Sequence, residues 1–482
     1  MKRFSPILLA GMFMFAGCAE HPTQPDAATG PSLGSHGAMI SSAPLALDHL
    51  ESTGNHVVMM RNQRLPNNFE STIARFGGSI EAAYGNLGVA VVSGLDGDGV
   101  TALESVNQVA MVSPDFLIPL DLPTDPEVSE TSATDVIQND DPDAAFFFPR
   151  QWNMRAIGAD VAWAAGRTGS PDVTVAILDT GLDYTNLDLQ GLVDLERSAS
   201  FVPSDDAFVD AFFPGAHPVA DLHYHGTHVG ATVSSNAVVA AGVTSKVTLV
   251  GVKVCNVFGS CPTSSVLAGM MHAADIGADV MNLSLGGLRL KSADPGFVAT
   301  INRAITYANR AGTVVVVAAG NDAADLDRNH FEGIHFPTLY ASYCSGPTTV
   351  CVSGTGPVSG GVDGPWVDED TPAGYTNFGR SSIDVAAPGG TGGGAVWAAC
   401  SQFSLEFPIC QTGNFVLGAG GTSMASPHVA GVAALIVEDV GPNRPGQVRQ
   451  RLHQSADHPG GNGNHPFYGK GRVNAASAAG VK

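Results

Sequence analysis

From residue 151 onward the chain alternates short, nearly unbroken apolar runs with stretches whose apolar residues recur at helical spacing. The runs VTVAILDTG (173–181), VTLVGVKV (247–254), ADVMNLSLGG (278–287), TVVVVAAGN (313–321), TVCVSG (349–354) and IDVAAPG (383–389) have the length and β-branched content of strands buried on both faces. Between them, TSSVLAGMMHAADIG (263–277) and FVATINRAITYANRAG (297–312) read as helices. Buried strands alternating with helices predict an α/β domain over 151–482, a parallel β-sheet with helices on both faces.

The pattern differs upstream. HVVMMRN (56–62), GVAVVSG (88–94) and VAMVSPDFLIPL (109–120) read as strands. Phe69, Ile73 and Phe76 mark one helix between them, and Leu103, Val106 and Val109 mark another over 100–109. This order fits a small α+β ferredoxin-like unit over 56–120. Residues 18–55 are rich in Pro, Gly, Ser, Thr and Ala without sustained periodicity, which predicts a flexible tether. Residues 121–150 are dense in Asp, Glu, Pro and Thr and hold few apolar anchors before Phe146, which predicts an exposed, cleavable linker.

Residues 1–17 start with Lys2 and Arg3 and continue into an apolar run over 7–16. That run is too short for a bilayer core of about 30 Å, which takes roughly 20 residues, so an export signal is expected and a retained membrane helix is not. Phe15-Ala16-Gly17-Cys18 resembles a bacterial lipobox, and lipidation of Cys18 is weighed against an incidental cysteine. The expected location is extracellular or in the cell envelope. Forty-five acidic against 23 basic residues give a net charge of -22, which opposes binding to nucleic acid or anionic lipid. A monomer is expected. With Cys18 set aside, six cysteines remain. They allow many connectivities, and their spacing favours Cys255–Cys261, Cys344–Cys351 and Cys400–Cys410.

Candidate chemistry lies where the apolar runs end. Asp179 closes VAILD, Asn321 closes VVVVAAGN, His225 opens a helical stretch, and Ser423 stands at the head of GTSMASPHVAGVAALIV. A serine hydroxyl is a poor nucleophile without a base, and a histidine base needs a carboxylate to fix its tautomer and stabilise its cation. The Asn321 amide and N–H groups at the head of the Ser423 helix suit an oxyanion. The competing reading is a metal-dependent hydrolase or metal-binding module built on His217, His223, His225 and His228, although no HExxH occurs.

VAILDTGLD, HGTHVG, AAGN and GTSMASPHVAG, in that order, resemble the subtilisin-like serine peptidases, and the resemblance extends from about residue 151 to YGKGRVNAASA near the C-terminus. It implies a serine endopeptidase that needs no cofactor for its chemistry. Asp179 matches the triad acid, His225 the general base, Ser423 the nucleophile and Asn321 the oxyanion donor, while His228 matches a structural position. Ser284, Leu285 and Gly286 match the segment that pairs with a substrate backbone. Polypeptides are the implied substrates. Residues 56–120 look like the family's propeptide, an inhibitor and folding aid whose removal by self-cleavage would also detach a lipid on Cys18. Asp188 matches a structural calcium ligand, but 234–245 is short and poor in carboxylates, and a surface turn is the alternative.

Overall fold

A computed structural model describes residues 50–120, 122–130 and 141–481. The export segment, Cys18 and the tether up to residue 49 lie outside the described residues. Among the described residues no helix is long and apolar enough to cross a membrane.

The upstream unit is a split βαβ fold. Strands β1 (Ser52–Met60), β2 (Ser79–Tyr84), β3 (Val89–Ser93) and β4 (Val109–Pro119) form an antiparallel sheet in the order β2-β3-β1-β4, with helices Phe69–Arg75 and Gly97–Glu104. Strand periodicity divides β1 between two cores. Val58 and Met60 pack with Phe69, Ile73 and Leu103 of the unit's own helices, whereas Val57 and Met59 join a cluster with Phe297 and Ile301 of the downstream domain. Three expectations change. β1 begins inside the stretch read as tether. β2 was not anticipated, because its alternate residues are exposed and its apolar content is thin. The second helix ends at Glu104, and Val109 already belongs to β4.

Downstream, β6 (Thr174–Asp179), β7 (Ala199–Ser200), β8 (Thr248–Lys253), β10 (Val280–Leu283), β12 (Val314–Ala318), β16 (Val350–Thr355) and β17 (Val385–Pro388) form a parallel sheet in the order β17-β16-β12-β10-β6-β8-β7. Both faces of β6 are buried. Val175 and Ile177 pack with the helix Thr422–Val440, and Ala176 and Leu178 with the helices Thr263–Asp275 and Pro295–Ala311. This double cover explains why the strand sequences are continuously apolar. Outside the sheet, β9 (Ser260–Pro262) extends the upstream sheet through β4, β11 (Leu288–Leu290) pairs with β15 (Leu339–Ala341), and β13 (His330–Phe331) with β14 (Ile334–His335). β18 (Val396–Ala399) and β19 (Phe415–Ala419) form a hairpin whose outer edge carries β5 (Glu127–Glu130).

The two units meet through polar contacts as well as apolar ones. Asp115 on β4 accepts from Ser264 N (2.8 Å) and Ser264 Oγ (2.6 Å), satisfying the start of the helix Thr263–Asp275, which has no side-chain cap of its own. The linker is less exposed than its composition implies. Phe147 is fully buried against Trp397, its N–H donates to Val239 O (2.7 Å), and residues 142–150 fold onto the downstream domain as two short 3-10 turns. Three disulfides join Cys255 to Cys261, Cys344 to Cys351 and Cys400 to Cys410. Loops this short contribute roughly 2–3 kcal/mol each on a chain-entropy estimate.

Candidate active site

Three of the candidate residues are delivered by carboxyl ends of neighbouring parallel strands, where an open α/β sheet leaves room for chemistry. Asp179 ends β6, Ser284 follows β10, and Asn321 follows β12. His225 opens the helix His225–Val233, and that helix can approach β6 only because residue 226 is glycine. A side-chain carbon there would lie 2.1 Å from Gly181 O.

The His225 Nδ1–H donates to Asp179 Oδ1 at 2.8 Å, and both residues are fully buried. The same oxygen accepts from Thr180 N (2.8 Å). Burial alone would lower the His225 pKa. The Asp179 charge and hydrogen bond, with smaller contributions from Asp221 and Glu406, raise it above its ordinary value. With Nδ1 engaged, Nε2 is left without a partner and is the atom able to take a proton. Asp221, overlooked in the sequence, holds this helix start in place. Its Oδ2 accepts from Thr227 N (2.8 Å) and Thr227 Oγ1 (2.7 Å), and its Oδ1 from Thr180 Oγ1 (2.8 Å). Asp221 stands four residues ahead of the helix, outside the N-cap position held by Tyr224, so the usual capping signal does not mark it in the sequence.

Ser423 is the second residue of the helix Thr422–Val440, which is buried from Thr422 through Val437. Its Oγ donates to Ser284 O (2.9 Å), so the hydroxyl is not yet turned to His225 Nε2. Catalytic hydrogen bonds are often unformed before substrate binds, and rotation about one side-chain bond redirects this one. Pro427 has no N–H to give the carbonyl of Ser423 one turn earlier. The Ser284 hydroxyl supplies that donor at 2.7 Å, and it is itself in hydrogen-bond contact with Asn282 Nδ2 (2.9 Å) and Ser426 Oγ (2.8 Å). Ser284 thus closes the gap that Pro427 leaves beneath Ser423. The side chains of Ser284 and Leu285 are buried and Gly286 is partly exposed, so a substrate would meet 284–286 through main-chain groups.

Asn321 Oδ1 accepts from Thr422 N (2.8 Å) and Thr422 Oγ1 (2.9 Å). This fixes the amide with its oxygen on the helix and its Nδ2 beside Gly421, where an added side-chain carbon would lie 3.5 Å from that nitrogen. An N–H donor and the head of a helix therefore flank Ser423, an arrangement suited to a developing negative oxygen.

The metal reading does not survive this geometry. His228 Nε2 faces the carbonyls of Val396 (3.1 Å) and Leu417 (3.0 Å), which only an N–H can serve, and burial pushes its pKa down to about 4. It pins the His225 helix to the β18–β19 hairpin. His223 Nε2 is paired with Glu406 Oε2 at 2.8 Å, and His217 Nδ1 accepts from Val219 N (3.2 Å). Among the described residues no three His, Cys, Asp or Glu side chains stand together as a metal site.

Asp188 requires a correction. It is neither a surface turn residue nor fitted to calcium. It is fully buried, its Oδ1 accepts from Val238 N (2.9 Å) and Val239 N (2.8 Å), and its Oδ2 from Ala240 N (2.9 Å). Calcium seeks oxygen lone pairs, and here those lone pairs already serve amide hydrogens. Burial lifts the Asp188 pKa to about 6 even though the three N–H bonds pull it down. Asp188→Ala would strand three buried donors at about 1–3 kcal/mol each. Urea denaturation should show a markedly lower midpoint that added calcium does not restore. An unchanged midpoint would remove Asp188 from this role.

The subtilase family model matches residues 170–471. A thermophilic serine proteinase from Bacillus sp. (strain AK1) is 31% identical over 340 residues, covering 70% of this chain and 69% of that protein. Subtilisin E from Bacillus subtilis (strain 168) is 31% identical over 330 residues, covering 68% and 71%. Among solved structures, the epidermin leader peptide processing serine protease of Staphylococcus aureus superposes with a TM-score of 0.65 at 20% identity, over 89% of this chain and 98% of that one. Fervidolysin from Fervidobacterium pennivorans superposes at 0.64 and 22% identity, over 90% and 62%. At those identities the structures speak for the fold, and the sequence relatives and family model carry the rest. On this ground the chain belongs to the subtilase family and is a serine endopeptidase.

Proposed function

We propose that the chain is an exported endopeptidase, made as a zymogen, that cleaves polypeptides through Asp179, His225 and Ser423. The observation that carries the reading is the buried Asp179–His225 pair, which leaves one ring nitrogen without a partner on a helix that packs against the helix carrying Ser423. Ser423 Oγ attacks the peptide carbonyl carbon as its proton passes to His225 Nε2, and the Asp179 carboxylate stabilises the imidazolium. The carbonyl oxygen becomes an oxyanion held by Asn321 Nδ2 and backbone N–H groups at the helix head. Collapse breaks the C–N bond, His225 hands the proton to the leaving amine, and the acyl group stays on Ser423. Water then repeats the sequence and restores the serine.

Asn321→Ala tests the oxyanion role. Its kcat should fall by about 10²–10³, the loss found when the corresponding donor is removed from subtilisin, with little change in KM. An unaltered kcat would take Asn321 out of the site.

The upstream unit acts as the inhibitory propeptide in this reading. Its C-terminal strand enters the cleft, with Leu120 N donating to Gly259 O (2.7 Å), and Pro123 lies against Gly421, two residues before the nucleophile. The first self-cleavage is accordingly assigned to residues 120–124. Any lipid on Cys18 lies upstream of that cut, so processing frees the peptidase from its anchor. Cell fractionation should find processed wild-type peptidase in the soluble fraction and Ser423→Ala precursor with the membranes. Processed peptidase retained on membranes would refute the release.

A further inference from the structure

The outer edge of β19 carries a piece of the chain that the bond-breaking chemistry does not require. β5 lies antiparallel on β19, pairing Glu127 with Gly418, Val128 with Leu417, Ser129 with Val416 and Glu130 with Phe415. The same segment has already crossed the cleft. β4 pairs Ile118 with Cys261 and Pro119 with Ser260 of β9, and Thr124 Oγ1 accepts from Gly420 N at 3.0 Å. The described residues on either side of position 121 are thus anchored upstream on β9 and downstream on β19, with Pro123 against Gly421, two residues before Ser423. Leu122 and Val128 of the downstream half pack against the core cluster that includes Phe415, Leu417 and Ala419.

A cut at 120–124 leaves β5 on the peptidase as part of its new N-terminal tail but frees that tail from its upstream anchor on β9, so a polypeptide can displace β5 and use the edge of β19 as a template. β5 is suited to displacement. It reads Glu-Val-Ser-Glu and is acidic like the chain as a whole, whose net charge of -22 includes it, so a neutral or basic occupant meets less repulsion than β5 does. The hairpin remains, because His228 ties it to the catalytic helix independently of β5.

We propose that the edge of β19 over Phe415–Ala419 is a substrate-binding strand, which grips the polypeptide downstream of the scissile bond by antiparallel strand addition. The ligand class is an extended, unfolded polypeptide with neutral or basic residues over the stretch that β5 occupies and apolar residues at the positions of Leu122 and Val128. Main-chain hydrogen bonds supply affinity and the two apolar positions supply selectivity. The inference rests on Ser423 being the nucleophile, and it extends the binding site well beyond the residues around the cut bond.

Three quenched-fluorescence peptides with one upstream sequence test it on the processed enzyme. The first ends about two residues after the cut. The second continues for about ten, the reach of the segment through β5 at about 3.3 Å per residue. The third is the long peptide N-methylated at the backbone positions that would donate to β19. The long peptide should show a kcat/KM about tenfold or more above the short one, mostly through KM, and N-methylation should return it to the short-peptide value. Equal values for all three would overturn the strand site. Cleavage of the short peptide, and its loss in Ser423→Ala, reports separately on the catalytic reading, so the two failures are distinguishable.

Discussion

Ser423→Ala should lower kcat by about 10⁶, the scale of the loss when the nucleophile is removed from subtilisin itself, while the folded domain survives. The variant loses only one outward hydrogen bond, from Oγ to Ser284 O. The backbone contact that matters for the helix, Ser284 Oγ to Ser423 O, does not involve the deleted atom. Stability should therefore shift by no more than about 1 kcal/mol. The second consequence concerns the precursor. If residues 120–124 are cut by the chain's own serine, purified Ser423→Ala stays full length, and wild type acquires a new N-terminus inside that interval. Mass spectrometry of both proteins reads this directly. A variant that is processed normally in isolation would mean that Ser423 is not the residue that cuts.

Asp179→Asn should cost about 10⁴ in kcat, as the same change does in a triad peptidase of another fold. Its pH profile should also move in a direction set by His225. In the wild type, burial opposes protonation of the imidazole, but the Asp179 carboxylate outweighs it and holds the pKa above the usual value of roughly 6.5. His225 must be neutral to accept the serine proton, so wild-type activity rises with pH through an apparent pKa above that value. Without the carboxylate charge, burial is less strongly opposed, and the acid limb should shift to lower pH even as the plateau collapses. A limb that stays in place would show that Asp179 does not set the His225 titration.

The legible parts of the sequence are those whose signal is carried by neighbouring residues. Asp179 and Asn321 stand out because one ends a continuously apolar strand and the other follows such a strand by three residues, and Ser423 because a buried helix begins one residue before it. Parallel strands announce themselves because burial on both faces makes them continuously apolar. What was missed depends on partners remote in sequence or on backbone groups. The work of Ser284 comes from the N–H that Pro427 lacks, and the carbonyl it rescues belongs to a residue 139 positions away. Asp188 looks like a metal ligand until the amides of Val238, Val239 and Ala240 fold over it, and backbone amides leave no mark in a sequence. β2 hides because an edge strand with one polar face has little apolar content to show. Residues 142–150 read as linker by composition, yet Phe147 anchors them against Trp397 and the loop around Val239.

The central claim is that one serine, Ser423, is activated by the Asp179–His225 pair. A fluorophosphonate probe reacts with a serine hydroxyl only where a base and an oxyanion site make it nucleophilic. Labelling of the processed enzyme followed by peptide mapping should place the adduct on Ser423, with labelling lost in Ser423→Ala and strongly slowed in Asp179→Asn. Labelling that survives Ser423→Ala, or a processed enzyme that hydrolyses peptides while Ser423 stays unmodified, would contradict the assignment.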